Sequence, residues 1–202
     1  MLLTVGGSGQ ALAQQVNDLP VVQAVVRTAT AVSTPVAPAP SAILGADAAV
    51  AEEVGVLQRA GWPLYALVDK FSAGAPLTDQ ANCIAVAVYH EARGESLEGQ
   101  MAVAKVIMNR ATSGKYPTSW CGVVKQPWQF SFVNPRTGYM PSVNEASDSW
   151  RKALGVTRLA VANAVSSVPA DCLWYHADYV APSWGRRLTR VEKIGAHIFY
   201  RS

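Results

Sequence analysis

The run Tyr89-His90-Glu91-Ala92-Arg93-Gly94-Glu95 is the densest group of chemically competent side chains in the sequence. Ile84, Val88 and Ala92 recur at helical spacing through it, and Glu91 lies one residue from that apolar stripe. A carboxylate in such a place is costly unless it is hydrogen-bonded or protonated. A carboxyl group whose pKa is raised by an apolar wall is what a general acid needs near neutral pH. The competing reading is a salt bridge at the helix end, made by Glu91 with Arg93 or by Glu95 with a basic neighbour. His90-Glu91 also invites a zinc reading, but position 94 is Gly, so the HExxH spacing that puts two imidazoles on one helical face is absent. With three His in all, His176 and His197 far along the chain, no metal and no other cofactor is expected. A nucleophilic Cys–His pair built on Cys83 or Cys121 has no local motif behind it.

The elements that must position these groups are legible from caps and periodicity. Thr78 or Asp79 caps a helix running to Arg93, which Gly94 ends. Ser96 caps a second, from Leu97 to Ala111, with Leu97, Met101, Ala104, Met108 and Ala111 on one face and Glu98 in its first turn. So short a connection makes the two a helical hairpin. Tyr116–Tyr139 reads as a loop, interrupted by Pro117, Pro127 and Pro135 and loaded with Trp120, Trp128, Phe130 and Phe132. A third helix is predicted from Glu145 to Val165, and short β-prone runs at Leu173–His176, Leu188–Val191 and His197–Tyr200 follow. The predicted class is α+β with helices dominant.

At 202 residues, 50% of them hydrophobic and 15% charged, the chain has the material for one good core plus an appendage. Residues 1–13 read as a truncated signal segment, with Ala11-Leu12-Ala13 as a small-x-small site; a flexible Gly/Ala tail is the alternative. Residues 14–47, rich in Ala, Val, Thr and Pro, read as a flexible linker, and 48–77 as a helical extension broken at Gly61 and Pro63. No apolar run approaches the roughly 18 residues of a transmembrane helix. The net charge of +3 is too small to argue for nucleic acid, although residues 78–202 hold 14 bases against 9 acids, or +5.

Several ordered motifs resemble one family. The run at 89–95, then Gly99-Gln100-Met101-Ala102-Val103-Ala104, Asn109-Arg110, Gln126-Pro127-Trp128-Gln129-Phe130-Ser131, Trp174-Tyr175-His176, Pro182-Ser183-Trp184 and the closing stretch from Arg190 to Tyr200 are similar to the SleB/CwlJ cell wall hydrolases, whose type members are spore cortex-lytic enzymes. The similarity covers roughly residues 78–202. It implies a lysozyme-like, mainly helical catalytic domain that cleaves peptidoglycan glycan strands between N-acetylmuramic acid and N-acetylglucosamine, as a lytic transglycosylase. It makes Glu91 the single acid/base. Gln126, Gln129 and Ser131 are then candidates to hydrogen-bond sugar N-acetyl groups, and Phe130, Tyr175, Trp128 and Trp184 to stack on pyranose faces, with core packing the equal alternative for each aromatic; His176 is a further substrate-binding candidate, and Glu95 and Asn109 are candidates for support. Glu95 is read as structural, capping the next helix or pairing with Arg93 or Arg110, and Asn109 and Arg110 as bracing. It also implies a Cys83–Cys121 disulfide, leaving Cys172 over, with other pairings open. An exported, monomeric protein of the periplasm or cell envelope follows, with peptidoglycan as its partner. The alternatives are a muramoyl-alanine amidase and a non-catalytic wall-binding module.

Overall fold

A computed structural model of the chain describes residues 40–165 and 167–202. The expected signal segment and the linker up to residue 39 lie outside the described residues. Among the described residues six helices precede a three-stranded sheet: α1 Pro40–Arg59, α2 Leu64–Lys70, α3 Asp79–Ala92, α4 Leu97–Thr112, α5 Trp120–Lys125, α6 Asp148–Val161, β1 Cys172–Ala177, β2 Thr189–Ile194 and β3 His197–Arg201. This is the helix-dominated α+β class read from the sequence. Among the described residues no helix is long and apolar enough to cross a membrane.

α3 and α4 form the expected hairpin at the centre. Thr78 Oγ1 accepts the N–H of Ala81, and Ser96 Oγ accepts that of Gly99, so each cap does what its residue type allows. Both helices are buried around most of their circumference, with Ile84, Ala85, Ala87 and Val88 on α3 and Ala102, Val103, Ala104, Val106 and Ile107 on α4 wholly removed from solvent. Such all-round apolarity belongs to helices enclosed by others. α6 packs across α3 and α4, and α2 lies on α6 so closely that a Cβ on Gly155 would strike the Val68 carbonyl oxygen.

Three boundaries depart from the sequence reading. α1 begins at Pro40, inside the stretch read as linker; proline at the first helical position lacks only an N–H that would be unpaired there anyway. α5 interrupts the Tyr116–Tyr139 segment, capped by Ser119, whose Oγ accepts the N–H of Gly122. α6 is shorter than predicted, starting at Asp148 behind its cap Ser147. A short 3-10 turn at Ser183–Arg187 joins β1 to β2.

The sheet is antiparallel in the order β1-β3-β2. β1 carries a bulge between Cys172 and Trp174, and the Leu173 carbonyl freed there accepts the Nε–H of Arg110 at 2.8 Å. Asn109 donates to the carbonyls of Pro169 and Cys172 at 2.8 and 3.1 Å, so the end of α4 fixes where β1 starts. A disulfide between Cys83 and Cys121 joins α3 to α5, the pairing implied by the family resemblance. Cys172 is a buried free thiol, its pKa pushed by burial up to about 11.

Candidate active site

Glu91 lies in the last turn of α3, where the helix leaves the core, and is half-buried. Burial raises its carboxyl pKa, opposed by a hydrogen bond from the Tyr175 phenol and by the positive charge of Arg110. The balance leaves the acid holding its proton to higher pH than a solvated glutamate. Among the described residues no salt bridge involves Glu91, so the helix-end ion pair is not formed. Tyr175 comes from β1; burial, with the Glu91 charge beside it, holds its hydroxyl far above the ordinary tyrosine range, so the phenol stays a donor.

Arg110 is a buried cation, and among the described residues no carboxylate is in ion-pair contact with it. Its guanidinium donates to the Leu173 carbonyl and is lined by the rings of Tyr116 at 5.0 Å and of Phe130 and Tyr175 at 5.9 Å. This aromatic cage joins three elements at the acid: α4 through Arg110, β1 through Tyr175, and the segment after α5 through Phe130.

Glu95 is committed elsewhere. Its Oε2 accepts the Ala196 N–H at 2.8 Å, and its carbonyl accepts from Gln100 Nε2 at 3.1 Å. It therefore holds the β2–β3 turn, and neither caps α4, where Ser96 acts, nor forms an ion pair among the described residues. Gly195 has φ +57°, and a Cβ there would collide with the Glu95 carboxylate. His197, next in β3, is only 7% exposed and packs edge-on against Tyr175 at 5.1 Å. Burial lowers its pKa, and its buried Nδ1 has no partner among the described residues, so a neutral imidazole backs the tyrosine.

The remaining expected site residues divide between two places. Phe130 is buried in the cage, Gln126 and Gln129 are half-buried in the same segment, and Ser131 is exposed beside them. His176 points away from this group. Consecutive strand residues face opposite sides of a sheet; Tyr175 turns toward Glu91, while His176 stacks on Tyr200 and meets Trp184 edge-on. Both its ring nitrogens are engaged, with the Tyr200 hydroxyl at 2.9 Å and the Ala177 carbonyl at 2.8 Å. His90 likewise stacks on Phe132 and reaches the Pro141 carbonyl at 3.2 Å. Among the described residues no three His, Cys, Asp or Glu side chains come together as a metal site would require. The sequence marks Arg110 as bracing only and gives His197 no place against Tyr175; the alternation of His197 and Phe199 in β3 was the available signal.

The model of the Cell Wall Hydrolase family matches residues 94–200, just over half of the chain. The chain belongs to this family. The match spans α4 to β3, including Arg110, Phe130 and Tyr175, and begins three residues after Glu91. The chain is similar to the spore cortex-lytic enzyme of Bacillus subtilis, 38% identical over 121 residues that make up 57% of this chain and 35% of that protein. The Bacillus cereus spore cortex-lytic enzyme is 34% identical over 116 residues, 57% of this chain and 42% of its own. The chain thus spans well under half the length of these relatives. Among solved structures, the catalytic domain of the germination-specific lytic transglycosylase SleB from Bacillus anthracis aligns with 64% of this chain and 100% of its own, at 30% identity and a TM-score of 0.49.

Proposed function

We propose that this cell wall hydrolase cleaves peptidoglycan glycan strands between N-acetylmuramic acid and N-acetylglucosamine as a lytic transglycosylase, with Glu91 as its single acid/base. The observation that carries this reading is the Glu91 environment: a half-buried carboxyl at the end of α3 whose pKa burial raises, with the Tyr175 phenol and the charge of the caged Arg110 acting on it from the other side. Protonated Glu91 donates to the glycosidic oxygen as the bond to muramic acid C1 breaks. The resulting carboxylate then removes the proton of the muramic acid 6-hydroxyl as that oxygen attacks C1, closing a 1,6-anhydro ring. Proton and leaving group balance through one residue, whereas ordinary hydrolysis uses two carboxylates. Arg110 and Tyr175 stabilise the anionic state between the two transfers. Gln126, Gln129 and Ser131, along the segment that enters the cage, would hydrogen-bond the sugar N-acetyl groups.

The enzyme would act outside the cytoplasm, in the periplasm or cell envelope, where its Cys83–Cys121 disulfide is stable. Mass spectrometry of fragments released from purified peptidoglycan tests the reaction. Ends carrying 1,6-anhydro-N-acetylmuramic acid are expected; reducing ends, one water heavier, would overturn transglycosylation. Glu91→Gln, which keeps the shape and cannot carry the proton, should lower the release rate about 10²- to 10⁴-fold.

A further inference from the structure

The segment between α5 and the cage contains a backbone conformation that its residue does not favour. Trp128 has φ +68°, in the left-handed region where glycine is at ease and a bulky aromatic is a genuine outlier. Asn163 is the other non-glycine with positive φ among the described residues, and asparagine tolerates that region. Strain of this kind persists when something else offsets it. Packing within the fold does not: the Trp128 side chain is 84% exposed, and among the described residues no aromatic or cationic group stacks on it. The indole contributes almost nothing to the core, and glycine would satisfy the same backbone without strain.

The position of this tryptophan identifies what it is for. Phe130, two residues on, is buried against the Arg110 guanidinium that faces Glu91. Cα atoms two residues apart are separated by at most about 7 Å. Trp128 therefore lies within that distance of a residue of the Arg110 cage, with its own side chain open to solvent. An indole presents a flat apolar face that matches the C–H face of a pyranose. We infer that Trp128 is a glycan-binding platform, held in a strained backbone so that its ring stacks on a sugar of the strand entering the Glu91 site. This rests on the peptidoglycan-cleaving reading above and adds a specificity-determining residue to it.

The test separates folding from binding. Binding of the full chain to insoluble purified peptidoglycan is measured in a Glu91→Gln background, so that the wall stays intact, alongside denaturant unfolding. Trp128→Gly should be no less stable than its parent yet bind about tenfold more weakly, the loss of one stacking contact. Trp128→Asn, which keeps the left-handed backbone without the ring, should bind as weakly as the glycine variant; Trp128→Phe should recover much of the affinity. If Trp128→Gly binds like its parent, or loses stability and affinity together, the platform is overturned. If Trp128→Asn binds normally, the ring is irrelevant and the inference fails as well. Fragment release by the chain with Glu91 intact reports on the underlying reading: release together with unimpaired Trp128→Gly binding removes this inference alone, whereas no release of glycan fragments removes both.

Discussion

At the scale of the residue, Glu91 is set between opposing influences. Burial raises its pKa, and the Tyr175 hydroxyl and Arg110 charge pull it back. Activity that begins with a protonated Glu91 falls as pH rises through that raised pKa. Tyr175→Phe removes a hydrogen bond to the charged form, so the alkaline limb of the pH–rate profile should move to higher pH while the ring still packs on Phe199. A pH–rate profile of fragment release checks this; an unmoved limb would mean that Tyr175 does not act on Glu91. The same burial has a consequence for stability. A carboxyl whose folded pKa is raised contributes stability that is full below the unfolded value and is lost as pH rises through the folded one. Glu91→Gln does not titrate, so it should gain on the native chain as pH rises from about 4 toward neutrality. That a carboxylate belonged near an apolar stripe was legible in the sequence. The aromatic cage of Arg110 and the packing of His197 on Tyr175 were not, because they form only when β1, paired with β3, is laid against α4.

At the scale of the element, the α3–α4 hairpin was readable because its signals are local: Thr78 and Ser96 cap within three residues, and the apolar positions repeat along one helix. α5 was not, since six residues between Pro117 and Pro127 are too few to show a period, and the disulfide to α3 and its buried Val123 and Val124 hold it in place. The role of Glu95 was also hidden. It depends on the β2–β3 turn, which lies a hundred positions along the chain and brings the Ala196 N–H to its carboxylate. Gly195→Ala should therefore destabilise the protein by about 1–3 kcal/mol, combining a left-handed φ with a collision against Glu95. Glu95→Gln keeps an acceptor for Ala196 and should retain most activity. Denaturant unfolding and fragment release on both variants decide the matter; a Glu95→Gln enzyme with lost activity and intact stability would make Glu95 a second catalytic carboxylate and revive hydrolysis.

At the scale of the whole molecule, the uneven charge distribution connects the fold to the proposed peptidoglycan substrate. Residues 78–202 carry +5, while residues 1–77, with three bases and five acids, carry −2. Much of the positive charge on the described part lies on accessible side chains such as Arg186, Arg187 and Arg190, rather than in the caged Arg110. A wall whose stem peptides bear carboxylates would attract that half over distances that salt sets, since the screening length falls from about 10 Å at 0.1 M to about 3 Å at 1 M ionic strength. Stacking on Trp128 and hydrogen bonding near Glu91 act at contact and are screened far less. Binding of the Glu91→Gln chain to purified peptidoglycan should accordingly weaken severalfold across that salt range and then level off at a residual affinity that Trp128→Gly reduces further. Affinity independent of salt would mean that the cationic surface serves solubility, leaving contact around Glu91 and Trp128 to account for binding; affinity that vanishes at high salt would leave those contacts too weak to hold a strand in place for Glu91.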